Sequence, residues 1–313
     1  MYKKVRIGTR DSKLAVWQAE YVSAALRSTG IDSELVYIKT EGDLVLDTPL
    51  PLMGGKGVFT KALDDALLRE EIDIAVHSHK DIPTRLPDGL VVAAVFERED
   101  PRDVLVLRAG VELMEEELAE REGTIATSSM RRQGQWLHRY PHHQIADIRG
   151  NVQTRLRKLD ESDWIGAIFA AAGLKRLGLE NRISYYLDWM ICAPAQGAVA
   201  VMARSNDVRM TEILRAHHHQ ETALCVGAER QCLNRLEGGC SAPVGVYVRR
   251  DEADLVLFSN VLSSDGVDCI DVELRAPVND MDAVLSLGRR AADALLEAGA
   301  AALVSTDEHG NGP

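Results

Sequence analysis

Apolar positions in the first hundred residues follow two rhythms. Val5 and Ile7 alternate with polar neighbours over residues 3–9, which predicts a strand, and Leu14, Trp17, Tyr21, Ala24 and Ala25 then recur at helical spacing to about Ser28. The same reading predicts a strand from Glu34 to Lys39, a helix from Phe59 to Arg69, a short buried strand from Ile72 to His77 and another from Val91 to Phe96. A charged break with a proline, Arg98 to Asp103, follows, and then the grammar repeats. Strands at Thr124 to Ala126, Gln144 to Ile148 and Trp164 to Ala170 each run into a helix start. Repeated strand-then-helix units predict parallel sheets, which bind ligands outside the carboxyl ends of their strands. A second break lies at Ala193 to Ala198, and residues 208 to 236 read as two helical pieces parted near His217-His218-His219.

The rhythm changes near residue 240. Val244 to Arg249, Leu255 to Val261 and Val267 to Leu274 alternate as strands, with a hairpin turn at Ser264-Asp265-Gly266. Asp280 to Ala298 closes the chain as an amphipathic helix whose apolar face is Val284, Leu287, Ala291 and Leu295. The class is therefore α/β, followed by a smaller α+β region with a three-stranded antiparallel sheet.

The polar residues sit at the strand ends. Thr9-Arg10-Asp11-Ser12 joins the first strand to its helix, where Ser12 can cap and the bare N–H groups beside Arg10 suit an anion. His77-Ser78-His79-Lys80-Asp81-Ile82-Pro83 ends another strand, and Thr127-Ser128-Ser129-Met130-Arg131-Arg132 opens a helix. Arg149, Arg155 and Arg176 fall at or beyond further ends. So many arginines at one kind of position describe a pocket for several carboxylates, since the guanidinium fork matches a carboxylate with two parallel hydrogen bonds. Arg157 and Lys158 read instead as a solvated helix face. Asp81 is the acid set among these cations and followed by Ile82-Pro83; it should ionise readily and balance a developing cation.

Composition narrows the partner. The 313 residues carry a formal charge of -12, with 46% apolar and 27% charged residues, so nucleic acid is disfavoured and a soluble globular protein of two or three domains is expected. No apolar run of spanning length or signal-like start is present, which predicts a cytoplasmic protein that engages no membrane. No long apolar stripe remains to demand a dimer, so a monomer is expected. Of five cysteines, Cys240 stands apart: Leu236-Glu237-Gly238-Gly239-Cys240-Ser241-Ala242-Pro243 presents a thiol on a backbone bared by two glycines and stiffened by a proline. Cys225 and Cys232 lie seven apart on one helix face and read as core; the spacing of the histidines and cysteines fits no zinc pattern, and no metal is expected. From 42 to 57 the chain is rich in Pro and Gly without period, a mobile loop that is not a nucleotide-binding Walker loop.

These blocks together resemble the porphobilinogen deaminase family. The matching segments are Thr9 to Ala15, Gly54-Gly55-Lys56-Gly57-Val58-Phe59, His77 to Pro83, Arg98 to Asp103, Thr127 to Arg132, Arg149-Gly150-Asn151-Val152, Ala172 to Gly178 and Leu236 to Pro243, in order along nearly the whole chain. The resemblance implies two periplasmic-binding-protein-like domains around a cleft, 1–98 with 195–216 and 102–192, and a third domain, 218–313, that presents the thiol. It implies a dipyrromethane cofactor joined to Cys240 by a thioether and made from the enzyme's own substrate. Four porphobilinogen units are then added one at a time: loss of ammonia gives an electrophilic azafulvene, the pyrrole end of the growing chain attacks it, and water releases hydroxymethylbilane. By the same analogy Lys80, Asp81, Thr127, Ser129, Arg131 and Arg132 hold the cofactor, Arg10, Ser12, Arg149, Arg155 and Arg176 hold substrate, Asp81 is catalytic, and the 42–57 loop is a lid carrying Lys56, with Phe59 just beyond it. Glu41, His79, Ala126 and Ala195 depart from the family pattern; a basic residue is common at the first, and glycine at the last two. Two other readings use the same features. One is a non-catalytic polycarboxylate-binding protein; the other is a thiol enzyme with a transient acyl or glycosyl group on Cys240.

Overall fold

A computed structural model describes residues 4–39, 60–236 and 243–305. The expected lid loop with Lys56 and Phe59, and the expected thiol at Cys240, lie outside the described residues. The chain divides into two compact units, Met1–Glu99 with Gly197–Ala223, and Asp100–Gln196 with Leu224–Pro313.

In the first unit, β1 (Val5–Thr9) leads into α1 (Lys13–Ser28), started by Ser12, whose Oγ accepts from the N–H of Ala15 at 3.4 Å. The helix buries Ala19, Val22 and Leu26 against the sheet, whereas of the face expected from spacing Leu14, Trp17 and Ala25 are only half-buried and Tyr21 and Ala24 are exposed. β2 (Ser33–Tyr37), α2 (Lys61–Leu68), β3 (Ile74–Ser78) and β4 (Leu90–Val95) follow. β10 (Val199–Arg204) completes a five-stranded sheet of order β2-β1-β3-β10-β4. β1 runs parallel to β2 and β3, but β10 is antiparallel to both β3 and β4. The sheet is mixed, not parallel as the strand-helix repeat predicts. The cause is connectivity: the chain re-enters after residue 196 at the edge where β3 ends, Val199 pairing with Ser78, and must run the other way.

The second unit repeats this arrangement. β5 (Asp103–Leu107), β6 (Thr124–Ala126), β7 (Gln144–Ala146), β8 (Gly166–Ala170) and β9 (Tyr185–Tyr186) form a sheet of order β7-β6-β8-β5-β9. β6 is parallel to β7 and β8, and β5 is antiparallel to β8 with Asp103 opposite Ala170. Helices α3 (Met130–Arg139), α4 (Val152–Asp160) and α5 (Ala171–Arg176) follow β6, β7 and β8 respectively. Because β5 is reversed, its first residue lies at the edge where β8 ends. That detail places Asp103 among the helix starts.

The third sheet is an antiparallel meander of β11 (Val244–Asp251), β12 (Asp254–Leu262) and β13 (Cys269–Pro277). The last strand starts at Cys269, not Val267, because Ser263 and Asp268 close the turn around Gly266 at φ +73. α6 (Val208–Arg215) lies in the first unit, and α7 (Gln220–Arg235) begins there and continues from Leu224 in the second. Cys225 and Cys232 of α7 and Val284, Leu287, Ala291 and Leu295 of α8 (Met281–Glu297) share one core with Val246 and Leu257. Those four apolar positions of α8 are the ones that its periodicity selects. Burial pushes the Cys232 thiol up to about 12, so it stays protonated and inert. No helix among the described residues is long and apolar enough to cross a membrane.

Candidate active site

The first sheet brings one group of expected residues to one edge. β1 and β3 are parallel neighbours, so Arg10 and the run from Ser78 to Asp81 leave the sheet side by side. Residues His79–Asp81 form a single tight turn, anchored where the His79 N–H donates to the carbonyl of Ala198 at 2.9 Å and Gln18 Nε2 donates to Ser78 Oγ at 2.8 Å. His77 and His79 are buried, while Lys80 and Asp81 are half-buried. Burial, and then the charge of Arg10, push the His77 imidazole down to about 4, so it is neutral near pH 7. Its Nε2 is buried with no hydrogen-bond partner among the described residues. The Asp81 carboxylate likewise accepts no hydrogen bond from any described residue, although cations stand beside it in sequence.

The second sheet gathers the other group. The ends of β7, β6 and β8 are neighbours, and the segments leaving them carry Arg149 and Arg155, Thr127 to Arg132, and Arg176. Ser128 locks two of these segments, its Oγ donating to the carbonyl of Ile148 at 2.6 Å and accepting from the Ile148 N–H at 3.0 Å. Ser129 caps α3 by accepting from the Arg132 N–H at 3.5 Å, and Thr127 Oγ1 accepts from the Ser129 N–H at 3.2 Å. Both hydroxyls keep their own hydrogen to donate. Arg149 Nε donates to Asp147 at 2.9 Å and Arg155 Nε to the carbonyl of Gly150 at 2.8 Å, where φ of +112 suits glycine.

Arg131 and Arg132 are buried, and both are held by Asp103, a residue that sequence reasoning places only in a charged break. Asp103 accepts from Arg131 Nη1 at 2.7 Å, from Arg132 Nε at 3.0 Å and Nη2 at 2.7 Å, and from Gln196 Nε2 at 2.9 Å. Burial alone would push its carboxyl up; the two guanidinium charges outweigh that and hold it well below the usual carboxylate range. Arg132 Nη1 also donates to the carbonyl of Ile168, so each of its three nitrogens is engaged by the protein. Arg131 differs. Its Nη1 makes both of its protein bonds, to Asp103 and to the carbonyl of Ile191, while Nε and Nη2 make none among the described residues. Nε and Nη2 form the side-on fork that takes a carboxylate with two bonds. This fork and the hydroxyls of Thr127 and Ser129 fit a group with carboxylate arms.

Asp100 is the other missed acid. It accepts from Arg102 Nη2 at 2.8 Å and Lys175 Nζ at 2.9 Å, which outweigh burial and hold it well below its ordinary value. A signal for both acids existed in Asp100-Pro101-Arg102-Asp103, since acids bordering the apolar run Val104 to Leu107 are half inside a sheet. Of the remaining polar motifs, His218 Nδ1 accepts from the Val95 N–H and His219 Nδ1 from the Thr222 N–H. The first bond ties β4 to the residues before α7, and the second closes the first turn of α7. Arg157 pairs with Glu161 on an exposed helix face, as its position suggests.

Comparison with known proteins settles the family. Residues 5–212 match the family model of the porphobilinogen deaminase dipyrromethane cofactor binding domain, and residues 223–297 match that of the porphobilinogen deaminase C-terminal domain. This chain belongs to the porphobilinogen deaminase family. It is 42% identical to the porphobilinogen deaminase of Pelobacter propionicus over 306 residues, covering 96% of each chain. Identity to that of Syntrophotalea carbinolica is 45% over 300 residues, 95% of this chain and 93% of the relative. For Desulfitobacterium hafniense the figures are 45% over 300 residues and 95% of both. Among solved structures, the periplasmic VFT2 domain of Bordetella pertussis BvgS overlays 70% of this chain and 90% of its own at 13% identity, with a TM-score of 0.41. A porphobilinogen deaminase fold is mixed α/β here, with two five-stranded sheets and a separate antiparallel three-stranded one. A non-catalytic polycarboxylate-binding protein is not favoured by these matches.

Proposed function

We propose that this protein is a hydroxymethylbilane synthase: it deaminates porphobilinogen, joins four such units head to tail on a dipyrromethane primer carried by Cys240, and releases the product by hydrolysis. The reading rests on one observation above the rest. Within the span of the family's cofactor-binding domain, the Asp81 carboxylate and the Nε–Nη2 fork of Arg131 stand beyond strand ends without hydrogen-bond partners among the described residues.

The primer, when bound, supplies the nucleophilic pyrrole end to which units are added. The chain's own residues do the rest. Arg131, Arg132, Lys80, Thr127 and Ser129 hold the primer's acetate and propionate arms, and Arg10, Ser12, Arg149, Arg155 and Arg176 hold those of the incoming unit. As ammonia departs from porphobilinogen, positive charge grows on its ring. Asp81, with no donor among the described residues to satisfy it, accepts from the pyrrole N–H and balances that charge. By the family analogy Lys56 and Phe59, both outside the described residues, also contact the ligand. The three domains are 1–98 with 195–216, 102–192 and 218–313. The protein works as a cytoplasmic monomer, without nucleic acid, membrane or metal.

Intact-mass measurement on the purified protein tests the reading. A covalent adduct of two linked pyrroles, lost on Cys240→Ser, is expected. Unmodified protein with full activity would refute it.

A further inference from the structure

Two arginines that must aim at carboxylates on a ligand are buried, and burial of a guanidinium is costly unless a partner accompanies it. One carboxylate serves both, so the local charge is still one positive in excess. We propose that Asp103 is the positioning residue of the primer site: it orients Arg131 so that the Nε and Nη2 edge faces the ligand, and it braces Arg132 beside it. The inference rests on the reading of Arg131 and Arg132 as primer-binding residues.

The geometry supports an orienting role beyond charge balance. Asp103 divides its oxygens, Oδ2 to Arg131 and Oδ1 to Arg132 and Gln196. By engaging Arg131 only at Nη1, it leaves the opposite edge of that planar group uncommitted. The carbonyl of Ile191 accepts from the same Nη1 at 2.8 Å and fixes the plane of the guanidinium. Gln135 repeats the contact, Nε2 donating to Ile191 O at 2.9 Å and Oε1 accepting from the Ile191 N–H at 2.8 Å.

Gln196 extends the arrangement to the chain crossings. Its Nε2 donates to Asp103 and also to the carbonyl of Pro101 at 2.7 Å. The chain leaves one unit for the other between residues 99 and 100 and returns between 196 and 197, so this one amide clips the two crossing segments together at the carboxylate that holds the arginines. Ala195 supports Gln196 from a left-handed backbone at φ +61, its N–H donating to the buried Glu229 at 2.6 Å. A shift of either crossing would therefore be felt at Arg131. Asp103 touches no ligand in this account; it acts through its neighbours.

Asp103→Asn, Gln196→Met and Arg131→Lys separate the possibilities, each purified from cells as the whole chain. Asp103→Asn leaves two buried guanidiniums facing a neutral amide, and its melting temperature falls by about 10 °C. Its folded fraction carries the two-pyrrole adduct, read by intact mass, on roughly tenfold fewer molecules than the parent. Gln196→Met keeps every charge, melts within about 3 °C of the parent, and raises KM for porphobilinogen by about threefold to tenfold with a smaller change in kcat. It decides the matter if Asp103→Asn does not fold. Normal adduct occupancy in folded Asp103→Asn, or a normal KM in Gln196→Met, overturns the positioning role. Arg131→Lys keeps the ion pair and lacks the fork: parent-like occupancy and KM there would overturn the primer-site reading itself, whereas a loss confined to Arg131→Lys would sink only the inference about Asp103.

Discussion

The two sheet edges that carry the proposed site are built on opposite principles. On the first, Asp81 and the Nε2 of His77 have no hydrogen-bond partner among the described residues. On the second, Asp103 accepts four hydrogen bonds and Asp100 binds both Arg102 and Lys175. Both edges arise from the same strand-then-helix repeat, so topology does not explain the contrast. The division of labour does. A group that must answer charge appearing during a reaction is most useful when nothing in the protein already satisfies it. Groups that hold permanent carboxylates are needed in one fixed orientation, and buried counter-charges supply that.

The comparison can be broken most directly at Asp81. Asp81→Asn keeps size and removes charge, and since the carboxylate accepts no hydrogen bond from any described residue, melting should shift by less than about 2 °C. Turnover should fall on the order of a hundredfold to a thousandfold with binding retained, checked by steady-state kinetics and by capture of bound porphobilinogen. Near-parental kcat would show that the open carboxylate is incidental. Arg149→Leu is the matching test on the second edge. It pairs with Asp147, which is 61% exposed, and that ion pair contributes little to folding. Chain assembly should weaken by about tenfold to a hundredfold, seen as slower appearance of enzyme-bound pyrrole chains by mass, with melting nearly unchanged. Equal losses in both would make Arg149 structural and erase the contrast.

Acid titration sharpens it next. His77 is depressed to about 4 and Asp64, 4% exposed in the first turn of α2, is raised by burial to about 6. Both lie in the first unit and they oppose each other. His77 contributes stability above pH 6.5 that is lost as pH falls toward 4, because the unfolded chain binds its proton first. Asp64 contributes stability below its unfolded value of 3.8 that is lost as pH rises through 6, because the folded chain holds its proton longer. Each amounts to about 3 kcal/mol at most, so they largely cancel between pH 4 and 6. Asp64→Asn should therefore raise stability by about 1 to 3 kcal/mol at pH 7.5 and steepen its loss from pH 6.5 to 4, measured by urea denaturation across that range. The depressed acids of the second edge, Asp100 and Asp103, have their windows lower, below their ordinary value of 3.8. A parent whose stability drops sharply between pH 6.5 and 5 would contradict the cancellation.

Much of the site was legible because its residues follow strand ends, and alternation and helical spacing locate strand ends well. Arg10, Lys80 with Asp81, Thr127 to Arg132, Arg149 and Arg155 all leave strands that periodicity predicts in outline. Three strands were not legible: the two-residue β9, and β5 and β10. β5 and β10 are Asp103-Val-Leu-Val-Leu107 and Val199-Ala-Val-Met-Ala-Arg204, continuous apolar runs with nearly every residue buried. Covered on both faces, they show no alternation, and each adjoins a Pro-containing break that reads as linker. Missing them meant expecting parallel sheets. It also hid Asp103, because only a reversed β5 brings its first residue to the edge where the helices begin. A carboxylate's partners lie 28 and 29 residues away in this case, and no local pattern records them.

The smallest expected effect is at Ala195, where the family resemblance leads one to expect glycine, and its sign depends on three terms. At φ +61 the methyl group is strained by about 1 kcal/mol, which glycine would relieve. Against that, Ala195 is fully buried, and removing one methyl forfeits about 0.8 kcal/mol of apolar burial. Glycine also widens the unfolded ensemble by roughly 0.4 to 1 kcal/mol. The sum is near zero or slightly destabilising, so Ala195→Gly should melt within about 3 °C of the parent. Ala195→Val has no such relief: a branched side chain in the left-handed region, with no space around it, should cost more than about 2 kcal/mol. The difference bears on the braced edge, because the same backbone turn delivers Gln196 to Asp103. If Ala195→Gly leaves melting alone and yet raises KM for porphobilinogen as Gln196→Met does, the rigidity of this turn, and not its stability, is what the second edge uses. A KM unchanged by glycine would mean that the bonds of Gln196 and Glu229 hold the turn without help from the methyl group.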